Sequence, residues 1–524
     1  MARAGEAPLQ RGHDGEYPPL RGFKLVLLTI AVAVSTFMEI LDMTIVNVSI
    51  PSIAGSLGVS PSEGTWSISS YMLAAAVVQP LAGWIGRRFG EVRTFVSSIL
   101  LFVVFSALCG LATSMPMLIA GRLMQGLVSG PMMSVAQALL LRNYPVHLRG
   151  LAMGLWAMVV IIAPICGPIL GGYITDNYSW PWLFYINVPV GLLAAAGSWW
   201  VLRDRESMRV KVPVDAVGLC LLVIGVGALQ YVLDNGNDKE WFHSAEIVTA
   251  AVVSVVALVL FVPWELTDRH PVVDLHLFRR RNFVVGALAV CMGFFVFSGI
   301  NVIYPLWLQT TLAYTSTMAG YAIAPVGIFA LLLAPVVGKN IHRLPLRAAS
   351  TFAFVVFATS LFWVATLNDQ ASFSQLSIPR LFQGLGLSLF FLPLNQMMMA
   401  GIPASELTAA AGLGNFMRTV AGSFSTALCI FLWSERTEYH HGTLAQSVTP
   451  DSLAAAGYQA QLAAQGLDGT AGLAATQQVI GLQASTLGAN DVFVMLGLMA
   501  LAAIPLVWLA RPPFGAAGVP GGGH

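Results

Sequence analysis

The sequence predicts an all-α membrane protein with fourteen transmembrane helices, in two pseudo-symmetric six-helix halves plus two inserted helices. Three observations predict it. Only 10% of the 524 residues are charged and 56% are hydrophobic, whereas soluble domains carry about 25% charged residues. Fourteen runs are long and apolar enough for a membrane helix, which needs about 20 apolar residues. A motif of charged and small residues also recurs at a fixed offset along the chain.

In chain order, the expected spans are 24–49, 64–86, 94–113, 117–141, 150–174, 182–202, 214–233, 246–265, 283–310, 317–338, 348–367, 376–400, 408–433 and 491–510. The segment 1–23 is polar and has no small-residue cleavage site, so the first run reads as a retained span rather than a signal peptide. An even number of spans puts both ends on one side. With those ends in the cytoplasm, inner segments hold 21 of the 26 Lys and Arg, and outer loops hold only Lys239 and Arg436. That asymmetry predicts cytoplasmic termini. The divisions expected are 1–23 as a cytoplasmic segment, 24–202 as the first half and 203–282 as a linker with the two inserted spans. The second half is 283–510, and 511–524 is a flexible tail. The polar stretch 434–490 is expected as a long outer loop that either stays mobile or forms short helices touching a partner.

The halves are read from repetition. Arg122-Leu123-Met124-Gln125-Gly126-Leu127 returns as Arg380-Leu381-Phe382-Gln383-Gly384-Leu385, 258 residues later. Pro80-Leu81-Ala82-Gly83 is echoed by Pro335-Val336-Val337-Gly338 at a separation of 255. Two matches at nearly one offset indicate duplicated halves of the kind transporters use.

Asp42 carries most of the functional signal. It lies inside the first apolar run, where a charge costs from ~3 kcal/mol upward. Glu39 stands three positions earlier, on the same helix face. Two such acids repel, which favours binding a proton. Arg122 lies at a compatible depth in the fourth run. Its guanidinium keeps its proton, so its expected role is to hold Asp42 ionised while paired and to release it on separation. Gln125, one turn away, is expected to hold either side chain. Arg380 and Gln383 occupy the related positions of the second half. No acid there pairs obviously with Arg380, and backbone carbonyls are its expected partners. Arg418, near mid-membrane, is expected either to pack or to attract an anionic substrate. Candidate substrate contacts are Met38, Trp66, Tyr71, Trp156, Asn301, Tyr304, Phe390, Asn395, Asn415 and Arg418, since a drug cavity needs aromatic and Met surface with few polar anchors.

Several classes are excluded or disfavoured. A net charge of +1 argues against nucleic-acid binding. Cys109, Cys166, Cys220, Cys291 and Cys429 all lie in apolar runs, with neither a disulfide framework nor zinc spacing. No histidine or lysine lies in the interior of an expected span, so carboxylates are left to carry protons. Phosphate-loop and zinc-protease motifs are absent, which disfavours an enzyme and an ATP-driven pump; no cofactor is expected.

At this point the motifs resemble a family. Residues 41–51, with Asp42, Thr44, Asn47 and Pro51, are similar to the first-span signature of fourteen-span drug/proton antiporters in the major facilitator superfamily. Gly154, Ala163, Gly167, Pro168, Gly171 and Gly172 resemble its fifth-span antiporter motif. The run from Trp182 through Phe184, Asn187 and Pro189 to Gly191 resembles its sixth-span opening. Pro512, Pro513, Phe514 and Gly515 resemble the tail of EmrB-type multidrug export pumps. One motif departs: in the inner loop Gly83, Gly86, Arg87, Arg88, Gly90 and Glu91, the superfamily's acid-then-base order is reversed. The resemblance implies an inner-membrane exporter of hydrophobic toxic compounds and antibiotics, driven by the proton gradient, with a periplasmic adaptor and an outer-membrane channel as partners. It also implies that the glycine-rich fifth span packs closely and rocks, with Pro168 favouring a bend. The rival readings are a proton-coupled nutrient importer and a non-transporting membrane sensor.

Overall fold

The computed structural model describes residues 17–46, 49–59, 61–210, 213, 215–236, 239–268, 271, 273–448, 453–464 and 469–514. Most of the segment 1–23, Asn47 and Val48 of the first-span signature, parts of 434–490, and the tail from Gly515 lie outside the described residues.

Among the described residues the chain is helical and strand-free, with fourteen helical segments apolar and long enough to cross a membrane. The first half comprises α1 (Gly22–Ile45), α2 (Ile50–Leu57), α3 (Pro61–Val78), α4 (Ala82–Phe89), α5 (Glu91–Gly110), α6 (Met115–Asn143), α7 (Arg149–Asn177), α8 (Trp182–Tyr185) and α9 (Asn187–Leu202). The inserted pair is α10 (Ala216–Asn235) and α11 (Ala245–Thr267). Then follow α12 (Arg281–Thr310), α13 (Ser316–Ile323), α14 (Val326–Asn340), α15 (Leu346–Val364), α16 (Phe373–Met398), α17 (Leu407–Ser447), α18 (Leu453–Ala464) and α19 (Gly469–Leu509). Helix starts are set locally. Asp215 accepts from Gly218 N at 2.9 Å to open α10, and Ser372 with Gln375 forms a capping box at α16. Apolar side chains such as Val252, Val255, Val256 and Val259 of α11 are exposed, as a hydrocarbon-facing helix requires.

The first and last described segments lie on one face of the bundle, termed the terminal face. There Leu20 N donates to Asn143 O at 2.9 Å, and Arg347 donates to Ala510 O. The halves are closed against each other at this face. A Cβ on Gly154 of α7 would lie 2.6 Å from Ala334 O of α14, and one on Gly83 would lie 2.6 Å from Ala409 Cβ of α17. Only glycine permits such approach. Thr408 of α17 also donates to Glu91 of α5, and Thr419 donates to Gln79 Oε1 at 2.9 Å.

The stretch 434–490 holds one short helix, as one of the two expectations had it, but most of its described part prolongs two spans. Its first part continues α17 and its last part continues α19, each helix being 41 residues long, with α18 between them. At 1.5 Å per residue each spans roughly 60 Å, about twice the hydrocarbon thickness. Ala, Leu and Gln favour helix here, and α19 meets no proline until Pro505. The two extensions are tied together: Arg436 Nε lies 2.6 Å and His440 Nε2 2.8 Å from the same Asp491 oxygen, and Trp433 donates to Ser485 O at 2.9 Å.

Candidate functional site

Five helices converge on Asp42. Its carboxylate and the Arg122 guanidinium are both fully buried and form an ion pair in which Nη1 donates to Oδ2. The other carboxylate oxygen accepts from Gln125 Nε2 at 3.2 Å and from Asn187 Nδ2 at 2.8 Å. Arg122 and Gln125 share one face of α6 by their spacing, and Arg122 also donates to Gln125 Oε1 at 2.8 Å. Arg122 Nε donates to Ser67 O of α3 at 2.9 Å, and its guanidinium lies 4.3 Å from the Tyr71 ring centroid. Asn187, at the start of α9, donates in turn to Ser106 Oγ of α5 at 3.0 Å. Three donors thus meet the two carboxylate oxygens, while the buried Arg122 Nη2 has no hydrogen-bond partner; such donors offset part of the desolvation cost of a buried ion pair.

Asn187 was visible in the sequence only as part of the sixth-span motif. A neutral residue in an apolar run gives no charge signal, so spacing alone does not connect it to Asp42.

Glu39 lies one helical turn from Asp42, buried, with Oε2 lacking a hydrogen-bond partner. Arg418 of α17, in the other half, acts on it electrostatically. Arg418 is held by soft contacts. Its Nη2 lies 3.0 Å from Met133 Sδ, and its guanidinium sits 4.9 Å from Phe294, 5.4 Å from Phe391 and 6.0 Å from Trp156. Trp156 and Phe391 approach across the two halves at 6.0 Å. This aromatic cage around one cation is the second feature of the site. Phe294, Phe391 and Met133 were not among the sequence candidates, because one aromatic in an apolar run looks like any other.

The remaining candidates divide by position. Asn415 donates to Ser134 Oγ at 3.1 Å across the halves. Asn395 bonds Phe391 O at 2.9 Å and borders a void of about 20 Å³ beside Met153 of α7. Met38, Tyr304 and Phe390 instead belong to packing within a half. Met38 Sδ would lie 3.2 Å from a Cβ on Gly191; the Tyr304 hydroxyl donates to Leu376 O at 2.7 Å; Phe390 stacks on Phe354 and Phe357. Trp66 is exposed beside Tyr231.

Arg380 corrects an expectation. Its acceptors are side-chain amides, not backbone carbonyls: Gln383 Oε1, and Asn301 Oδ1 at 2.8 Å. Asn301 stands 259 residues after Asp42, one position from exact repeat register.

The glycine motif of α7 is also refined. Gly154 packs on α14 and Gly167 on Thr44 of α1, and Gly171 is buried, whereas a Cβ on Gly172 would meet nothing within 4 Å. The side chain of Pro168 lies outside the described residues. In the inner-loop motif the acid, Glu91, makes buried links. Glu91 pairs with Arg142 at 2.7 Å, while Arg87 is exposed and Arg88 lies over the Trp84 ring. Gly90, at φ 92°, lets Glu206 reach the start of α5, where it accepts from Val92 N at 3.0 Å and Arg93 N at 3.1 Å.

Comparisons with known proteins agree on the family. The profile of the Major Facilitator Superfamily matches residues 32–426. The multidrug export protein EmrB of Haemophilus influenzae is 45% identical over 501 residues, covering 95% of this chain and 98% of that protein. EmrB of Escherichia coli K12 is 44% identical, covering 97% and 99%. The fatty acid resistance protein FarB of Neisseria gonorrhoeae is 40% identical, covering 97% and 100%. Among solved structures, the human organic anion transporter MFSD10 superimposes with a TM-score of 0.56 at 12% identity, covering 93% of this chain and all of that one, a likeness of fold. The chain belongs to the Major Facilitator Superfamily of membrane transporters, among the EmrB-type multidrug export proteins.

Proposed function

We propose that this transporter is a proton-coupled exporter of hydrophobic toxic compounds that works by alternating access in the bacterial inner membrane. The observation that carries the reading is the buried Asp42, paired with Arg122 and held by Gln125 and Asn187. A carboxylate is retained at that depth for ion movement more often than for stability. The charge asymmetry favours a cytoplasmic terminal face, so the described state is closed toward the cytoplasm.

The cycle follows from these contacts. With Arg122 in place, Asp42 is a carboxylate. Movement of α6 against α1 takes the cation away, and a buried acid without its partner takes up a proton from outside. Substrate leaves outward as the halves exchange contacts, and the glycine approach of α7 to α14 is the surface on which they rock. Substrate binds beside the aromatic cage, where Trp156, Phe294 and Phe391 supply apolar area. Glu39 and Arg418 set the preferred charge of the ligand, and a name such as fatty acid resistance protein in a relative supports amphipathic anions among the substrates. A periplasmic adaptor and an outer-membrane channel complete the path, as the family resemblance implies.

The test is flux in proteoliposomes under an imposed pH gradient, with hydrophobic cations, neutrals and weak acids as a panel. Gradient-dependent export by the wild type, lost in Asp42→Asn, is the expected result. Equal flux in both variants would remove Asp42 from coupling, and inward flux of a nutrient would favour the importer.

A further inference from the structure

The inserted helix α10 touches both halves away from the terminal face. Spans containing α3 and α17 meet near that face, where Gly83 abuts Ala409. Farther along, α10 lies between them: Leu73 of α3 is 3.8 Å from a Cβ built on Gly227, and Trp66 and Tyr231 rings lie 6.4 Å apart. A polar chain then crosses the gap. The Ser69 side chain of α3 lies near that of Asp234. Asp234 Oδ1 accepts from Gln230 Nε2 at 3.0 Å, and the same amide donates to Ser423 Oγ of α17 at 3.2 Å. Gln230 and Ser423 are buried. Three polar side chains of α10 and α17 are therefore linked, with α3 packed against the other side of α10.

We propose that Asp234 is a positioning residue for transport, fixing α10 through Gln230 as a strut that holds α3 and α17 apart while the terminal face is closed. The inference rests on the alternating-access reading. The geometric reason is a shared gap. Helices that meet at one end and diverge at the other leave a wedge-shaped space, and α10 fills it. When the terminal face opens, α3 and α17 must converge at the far end, so the Gln230–Ser423 link of α10 to α17 has to break. Losing that hydrogen bond biases the equilibrium by up to about tenfold. The strut therefore favours the state closed at the terminal face. It also assigns a task to a helix that the two-half architecture does not require.

The experiment is a reversible trap. Gln230→Cys and Ser423→Cys are combined after replacing the five native cysteines by serine, and the pair is bridged with a short bis-thiosulfonate linker. A linker is preferred because a direct disulfide needs a narrower Cα separation. Flux in proteoliposomes is expected to fall at least tenfold and to return on reduction, with substrate binding retained. Full flux in the bridged protein overturns the strut, since α10 would then travel with α17 throughout the cycle. A pair that no short linker bridges overturns it too. Asp234→Leu, made in the chain with its native cysteines, gives a second reading independent of that background. Turnover should drop about tenfold with KM unchanged, and Asp234→Asn should recover most of it, because an amide oxygen can still accept from Gln230. Equal turnover in Asp234→Leu and wild type also overturns the proposal. Wild type without any flux would instead sink the transport reading itself, so the two failures are distinguishable.

Discussion

The Arg122 and Arg380 sites are two versions of one device. Each has an arginine and a glutamine at i and i+3 on one helix, an aromatic ring under the guanidinium, and a polar partner from the first helix of its half. The partner differs. Around Arg122 it is the carboxylate of Asp42; around Arg380 it is the amide of Asn301. An amide cannot exchange a proton, and a carboxylate can. On the proposed coupling role of Asp42, the same scaffold supports a proton step in one half and a static brace in the other.

The largest effect should come from erasing that difference. Asp42→Asn makes the first site resemble the second. Gradient-driven export is expected to fall to background, while substrate binding, followed by tryptophan fluorescence or calorimetry, persists. Retained coupling in this variant would mean the two sites do not differ in function.

Stability should separate them next. Arg122→Leu leaves the Asp42 carboxylate buried without its cation, a change worth roughly 3–5 kcal/mol. Arg380→Leu leaves only neutral amides unmatched, at about 1–3 kcal/mol, and also relieves the burial of a charge. Thermal unfolding in detergent should rank Arg122→Leu well below Arg380→Leu. The opposite order would show that the acid is not ionised in the folded state.

How much of this was legible in the sequence depends on the physics behind each residue. The spans were readable because the bilayer imposes length and apolarity together. Asp42 and Arg122 were readable because charges in hydrocarbon are rare and need partners. Asn187 was not, since a neutral amide carries no such constraint. Nor was the cage of Met133, Phe294 and Phe391 around Arg418, which depends on which face of three helices turns inward. The extensions of α17 and α19 were missed for another reason. Hydropathy marks where a membrane ends, not where a helix ends, and the Ala- and Gln-rich composition there spoke for continued helix.

Asn187 offers a finer probe of the first site. Asn187→Ala removes one donor to Asp42 and one to Ser106 without touching the ion pair. A hydrogen bond to a charged group contributes about 1.5–3 kcal/mol, so export turnover should drop by about tenfold rather than vanish. A loss as complete as that of Asp42→Asn would mean that Asn187 itself takes part in the proton step. A change below twofold would make it mere packing.

The smallest effect is expected at the second site. Asn301→Ala removes one acceptor from Arg380 and leaves Gln383 in place. Gradient-driven export should stay within about threefold of wild type, with a stability loss of about 1–3 kcal/mol. The sharper variant is Asn301→Asp, which gives the second half the carboxylate it lacks. If the difference between the sites lies in that side chain alone, an acid beside Arg380 should bring a new pH dependence to thermal stability, measured in detergent across the acidic range. Flux through the Asp42 route should continue unchanged. A stability profile identical to wild type would show that the surroundings of Arg380, and not only the identity of its partner, keep the second half from handling protons.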